Sequence, residues 1–217
     1  RYPTVTGVRT CALPISDEFI PILESAGLIH QAGKWVFQEA VHTCKEWVKE
    51  NPGFVMNVNF SYIQMLNEDL LPFIRRTLKQ ADLSAKHIVI ELTESCFVTE
   101  MDALKRSFQQ LREMGIRIAI DDFGTGYASY ARLKTMNVDI LKIDGSFIRN
   151  LLASSLDYQV VDSICRLARM KNMQVVAEYV ESPEIRQAVI TLGIDYMQGY
   201  DIGVPVPLTQ LAEEMTG

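Results

Sequence analysis

The chain has 217 residues, 48% of them hydrophobic, which is enough for one large domain with a sizeable core and excludes a disordered chain. Its formal net charge of -6 offers no general attraction for DNA or RNA duplexes, so a phosphate-bearing ligand would need positive charge from elsewhere, such as bound metal ions. No apolar run reaches the ~18 residues of a membrane span, no signal-peptide pattern is visible, and the four cysteines (Cys11, Cys44, Cys96, Cys165) include no C-x-x-C pair, which points to reduced thiols rather than a disulfide framework or a zinc site.

Residues 1–15, "RYPTVTGVRTCALPI", show neither strand alternation nor a helical period. The stretch from Val5 to Ile15 resembles the conceptual translation of a sequencing adapter, so 1–15 is expected to be a non-native segment and 16–217 the domain. From Ser16, an N-cap candidate, apolar residues recur at helical spacing until Asn51-Pro52-Gly53 stops the run. Trp35 and Trp47 are read as core-facing or partly buried on that helix.

A first strand, "FVMNVNFS", precedes a helix from about Asp69 to Lys79. The second strand is "HIVIELTES", followed by the helix "DALKRSFQQLREMG", closed by Gly115. "IRIAIDDFGTG" gives the third strand and "VDILKID" the fourth. A helix from about Tyr158 to Lys171 leads to the fifth, "MQVVAEYVES". "PEIRQAVITLG" is a helix with Pro183 near its start, and "IDYMQGY" a sixth strand-like piece.

Alternation of this kind predicts parallel strands with crossover helices, and strands apolar almost throughout are those covered on both faces. The α/β choice lies between a TIM-like (β/α) barrel, usually about 250 residues long, and an open doubly wound sheet. Each strand carries a polar residue towards its C-terminal side: Asn59, Glu91, Asp121 with Asp122, Lys142 with Asp144, Glu178 and Gln198. In a parallel barrel these ends converge on the face that holds the active site. Clustered acids repel one another and are costly to desolvate unless cations sit among them. Oxygen donors without histidine select hard divalent ions such as Mg2+ or Mn2+, and paired metals serve in-line phosphoester displacement. The plainer reading is that acids at strand ends cap the next helix or solvate a loop. Asp122-Phe123-Gly124 is no kinase signature without its companion motifs, and Gly124-Thr125-Gly126 fits no phosphate loop.

Taken together, "NVNFS", "ELTES", "DDFGTGYASY", "LKIDGSFI", "VVAEYVE" and "MQGYDIGVPVP" closely resemble the EAL-domain family, in order and over the chain from about Ser16 onwards. The resemblance implies a (β/α) barrel that hydrolyses cyclic di-GMP to linear pGpG, a two-metal Mg2+ or Mn2+ site, a bacterial cytoplasmic setting and frequent homodimers. It implies Asn59, Glu91, Asp121 and Asp122 as metal ligands, Glu178 as general base, and Lys142 as the holder of the attacking water or a phosphate oxygen. Asp144 and Gln198 match positions that line or support the site. Glu94 and Glu181 match supporting glutamates, Glu94 fixing the loop after Asp122, which Gly124 and Gly126 allow to turn sharply.

Two features depart from the pattern. The Glu-Ala-Leu strand that names the family, with its ligand glutamate, is not found upstream of Ser16, so the barrel is expected to be incomplete at its N-terminal strand. Tyr179 stands where the family has glycine. If that backbone needs positive φ a tyrosine is strained, and its ring could crowd the substrate, push the base aside, face solvent or stack on a guanine. The second functional reading is therefore an inactive EAL domain that binds cyclic di-GMP or a partner protein without cleavage.

Overall fold

The computed structural model describes residues 16–94, 96, 101–124, 135 and 137–206; residues 1–15 and Gly126 lie outside them. Six strands follow one another in the sheet in chain order: β1 (Met56–Asn59), β2 (Ile88–Thr93), β3 (Arg117–Phe123), β4 (Ile140–Ile143), β5 (Gln174–Ala177) and β6 (Tyr196–Met197). The pairs β1–β2, β3–β4, β4–β5 and β5–β6 are parallel. Helices separate most of the strands, as parallel pairing requires. The described residues divide into two compact units, one built from 16–92, 101–118 and 206, the other from 93, 94, 96, 119–124, 135 and 137–205.

In the first unit the expected long N-terminal helix is two helices, α1 (Ser16–Ser25) and α2 (Ile29–Glu50). The break falls at Gly27, whose φ of +70° a helix cannot continue through. α2 buries Phe37, Val41, Cys44 and Trp47. Trp35, read from the sequence as core-facing or partly buried, is 63% exposed, because it lies off the stripe that those four residues define. Phe37 packs against Phe60 and Phe73 at ring separations of 6.0 and 6.1 Å, and Trp47 stacks on Phe54 at 5.5 Å. His87 is a satisfied core residue whose Nδ1 lies 2.8 Å from the Phe54 carbonyl oxygen.

A four-residue helix, α3 (Tyr62–Met65), has no counterpart in the periodicity of the sequence. It is held by a reciprocal capping box between Ser61 and Gln64. The helix α4 (Leu70–Ala81) ends at Asp82, which adopts a left-handed φ of +50°. α5 (Met101–Met114) buries Leu104, Phe108 and Leu111.

Among the described residues the second unit holds β3 from Ala119 onward, β4 to β6, and the helices α6 (Gly145–Arg149), α7 (Ser155–Met170) and α8 (Pro183–Thr191). All four residues of β4 are buried, as expected of a strand covered on both faces. Ser154 and Ser182 cap α7 and α8 through their hydroxyl oxygens, which accept from the Asp157 and Ile185 N–H groups. The Ser154 cap starts α7 three residues before the expected Tyr158.

Candidate active site

Adjacent residues of a strand point to opposite faces, so two neighbouring aspartates can share one site only if the strand is distorted. β3 supplies the distortion. Its register against β4 shifts between Ile120 and Phe123, and Asp122 inside that bulge has a φ of +55°. Asp121, Asp122 and Glu178 consequently each offer a carboxylate oxygen within 4.8 Å of the others. The Asp122 N–H also donates to Asp121 Oδ1 at 3.1 Å.

Lys142, on the fully buried strand β4, reaches into this cluster. Its Nζ lies 2.8 Å from Asp121 Oδ1 and 2.9 Å from Glu178 Oε1, and only 6% of its side chain is exposed. Glu178 follows the last residue of β5, and its N–H donates to the Ile143 carbonyl at 3.3 Å. Burial pushes the Glu178 carboxyl up to about 7; Lys142 opposes the rise, and Asp121 and Asp122 add to it. Three acids around one buried lysine leave the cluster short of positive charge.

Gly124, the residue after β3, is tethered by a buried glutamate. Glu94 is buried, and its Oε2 accepts from the Gly124 N–H at 2.7 Å. Gly124 has a φ of +111°, a conformation open to glycine. Asp144 spends one oxygen on the Ser146 N–H at 2.9 Å, which caps α6. Gln198 is half-buried just beyond β6, where its N–H donates to the Ala177 carbonyl and its own carbonyl accepts from the Val180 N–H. Glu181 is exposed.

In the other unit Asn59 and Glu91 are partners across the β1–β2 register. Glu91 is buried, and its Oε1 accepts from the Asn57 amide at 2.8 Å. The sequence reading overlooked Asn57. Its signal was available, because Asn57 lies two positions before Asn59 and therefore on the same face of β1.

Tyr179 has a φ of +56°, the strained alternative posed by the sequence. Its ring rests on α6, with the Arg149 guanidinium 3.9 Å from the ring centroid. The three described cysteines are buried, and burial pushes the Cys96 thiol up to about 12, so it is packing rather than a nucleophile.

These features define a parallel α/β protein with an all-oxygen, cation-deficient carboxylate cluster at the C-terminal ends of its strands. The chain belongs to the EAL-domain family, whose profile ("EAL domain") matches residues 12–205. It is 47% identical over 199 residues to the cyclic di-GMP phosphodiesterase PdeF of Escherichia coli K12, covering 92% of this chain and 27% of that protein. It is 37% identical to the bifunctional diguanylate cyclase/cyclic di-GMP phosphodiesterase MucR of Pseudomonas aeruginosa PAO1, covering 89% and 28%. Its fold matches the PaMucR phosphodiesterase in complex with c-di-GMP at a TM-score of 0.85 and 36% identity, over 90% of this chain and 80% of that one. It also matches the EAL domain of Mycobacterium smegmatis DcpA at 0.81 and 27% identity, over 87% and 86%. The fold is thus the TIM-like α/β fold of EAL domains. The chain spans about a quarter of the length of the curated relatives it matches.

Proposed function

We propose that this domain is a metal-dependent phosphodiesterase that hydrolyses cyclic di-GMP to linear pGpG. The observation that carries the proposal is the cluster of Asp121, Asp122 and Glu178 around buried Lys142. Its donors are all oxygen and its net charge is negative, which fits Mg2+ or Mn2+. Asp121 and Asp122 would hold such ions, and Glu94 would steady Gly124 just after them; Asn59 and Glu91, in the other unit, are the further ligands that the family resemblance implies. Bound there, the ions would supply Lewis acidity towards phosphoryl oxygens and make water a stronger acid.

Glu178, with a carboxyl raised to about 7, is suited to take the proton of the attacking water near neutral pH. As that oxygen bonds to phosphorus and the P–O3′ bond breaks, the Lys142 ammonium offsets the charge that builds on the phosphoryl oxygens. Asp144 and Gln198 would frame the site, with Glu181 beside them. The closest chemistry in the relatives named above is the cyclic di-GMP phosphodiesterase activity carried in the names of PdeF and MucR. A bacterial cytoplasmic setting and a homodimer belong to the same proposal; among the described residues no helix is long and apolar enough to cross a membrane.

The test is turnover of cyclic di-GMP with Mn2+, followed as pGpG formation, by the chain preceded by a strand that carries the family's Glu-Ala-Leu glutamate. That protein is expected to give product and its Glu178→Ala variant none. Absence of product from it at saturating Mn2+ would overturn the hydrolase reading. A second reading, binding without cleavage, draws on Tyr179 beside the base. Calorimetric binding of cyclic di-GMP with Ca2+, together with no turnover in Mn2+, would favour it.

A further inference from the structure

Tyr179 follows Glu178 directly, yet no step above uses it. Its backbone sits in the left-handed region at φ +56°, and the chain is fastened on either side of it. The Glu178 N–H donates to the Ile143 carbonyl and the Val180 N–H to the Gln198 carbonyl, at 3.3 and 3.0 Å. The side chain leaves this fixed turn and lies on α6. A Cβ added to Gly145 would overlap the Tyr179 ring, so the ring occupies the space where any other residue at 145 would carry its side chain. One helical turn on, the Arg149 guanidinium lies 3.9 Å from the ring centroid.

Such an arrangement fixes an aromatic ring in one place. It does not bury it. Tyr179 is 44% exposed and Arg149 is exposed as well. The fastened turn holds the strain and the ring in place, and the ring's exposed part is open to a flat ligand. A layered phenol and guanidinium offers two flat surfaces for which a purine is the natural partner. Aromatic and guanidinium planes stack bases regardless of sequence, while Arg N–H groups match the O6 and N7 acceptors of guanine. The next residue towards the chain's start is the proposed base Glu178, whose substrate carries two guanines.

We propose that the Tyr179–Arg149 pair on α6 is a base-stacking shelf that holds one guanine of the cyclic dinucleotide beside Glu178. The inference rests on the cyclic di-GMP reading of the site. Because the shelf touches a part of the substrate remote from phosphorus, it contributes to binding and leaves the chemical step unchanged.

The test uses the full chain and Tyr179→Gly, which removes the ring and suits the positive φ, so the fold is retained. KM for cyclic di-GMP in Mn2+ and Kd in Ca2+ are expected to rise roughly tenfold, with kcat within twofold, while Tyr179→Phe keeps both constants near wild type. Arg149→Ala should raise KM by a smaller factor in the same direction. Unchanged KM and Kd in Tyr179→Gly would overturn the shelf, as would a fall in kcat at constant KM, which would make Tyr179 a positioning residue for Glu178. If the wild type binds without turnover, the tenfold change in Kd still supports the shelf, and only the hydrolase reading falls. If the wild type fails to bind cyclic di-GMP at all, both fall.

Discussion

Replacing Glu178 by glutamine will make the metal-free protein more stable above neutral pH while removing turnover. The carboxyl is raised from 4.5 to about 7, chiefly by burial. Between those values the native state keeps a proton that the unfolded chain has released. The free energy of unfolding therefore falls as pH rises through that window, and the loss is complete above pH 7. The rise from 4.5 to about 7 corresponds to roughly 3 kcal/mol. Glutamine has the same length and its amide oxygen can accept from Lys142 Nζ, which Glu178 now meets at 2.9 Å, but it cannot ionise. Urea unfolding in EDTA at pH 5 and pH 8 measures the effect. Across that interval the wild type is expected to lose about 2.5 kcal/mol more than the Glu178→Gln variant, because part of the loss is already complete at pH 5; each kcal/mol is about 2–4 °C in Tm. Parallel pH profiles for the two proteins would refute the reasoning, because they would mean that burial of the Glu178 charge does not outweigh its pairing with Lys142. Mn2+ at pH 8 should restore much of the wild type's loss and do less for the variant.

Lys142→Met is expected to lower kcat by about 10²–10³, the scale of removing one charge-stabilising donor, without weakening Mn2+ binding, since the lysine competes with the ions for Asp121. Metal titration alongside turnover checks this, and a parallel loss of metal affinity would count against it. Glu94→Ala leaves the Gly124 N–H without its 2.7 Å acceptor and should cost about 1–3 kcal/mol of stability. It should also raise the Mn2+ concentration for half-maximal activity about 10–100-fold, as for other residues that orient a metal-binding segment; Glu94→Gln, which keeps an acceptor oxygen, should do less.

The strands and most helices were legible because their signals are local. Apolar runs covered on both faces, the Ser182-Pro183 start of α8 and the polar strand ends are all written in consecutive residues. The α1–α2 break was missed because apolar spacing runs through Gly27, and the turn there depends on a φ that periodicity does not register. α3 is too short to show a period and exists through the Ser61–Gln64 box, with the Gln64 amide also donating to the Ile29 carbonyl. Trp35 was misplaced because helical spacing tells which residues share a face, not which face is covered. Within the site, residue types named the acids and the lysine, but nothing in the sequence announced that Asn57 holds Glu91 or that Arg149 lies on Tyr179. Those contacts join positions tens of residues apart, and they form only after the strands have paired.

The bulge at Asp122 ties backbone strain to function and can be tested apart from charge. A regular strand would send Asp121 and Asp122 to opposite faces. The register shift and the φ of +55° bring both to Glu178, at a backbone cost of roughly 1 kcal/mol or more for a residue with a Cβ. Asp122→Asn removes the charge and keeps a side chain that tolerates the left-handed region; Asp122→Gly removes the charge and the strain together. Both relieve carboxylate repulsion in the metal-free protein, and both should lose Mn2+-dependent turnover. If the geometry at 122 is held against its own preference, the glycine variant will also exceed the asparagine variant in unfolding free energy, by up to about 1 kcal/mol. Equal stabilities, or a glycine variant less stable than the asparagine one, would mean that the bulge is simply the relaxed path of the chain. The shared aim of the two carboxylates would then be a consequence of the fold rather than something the fold works to maintain.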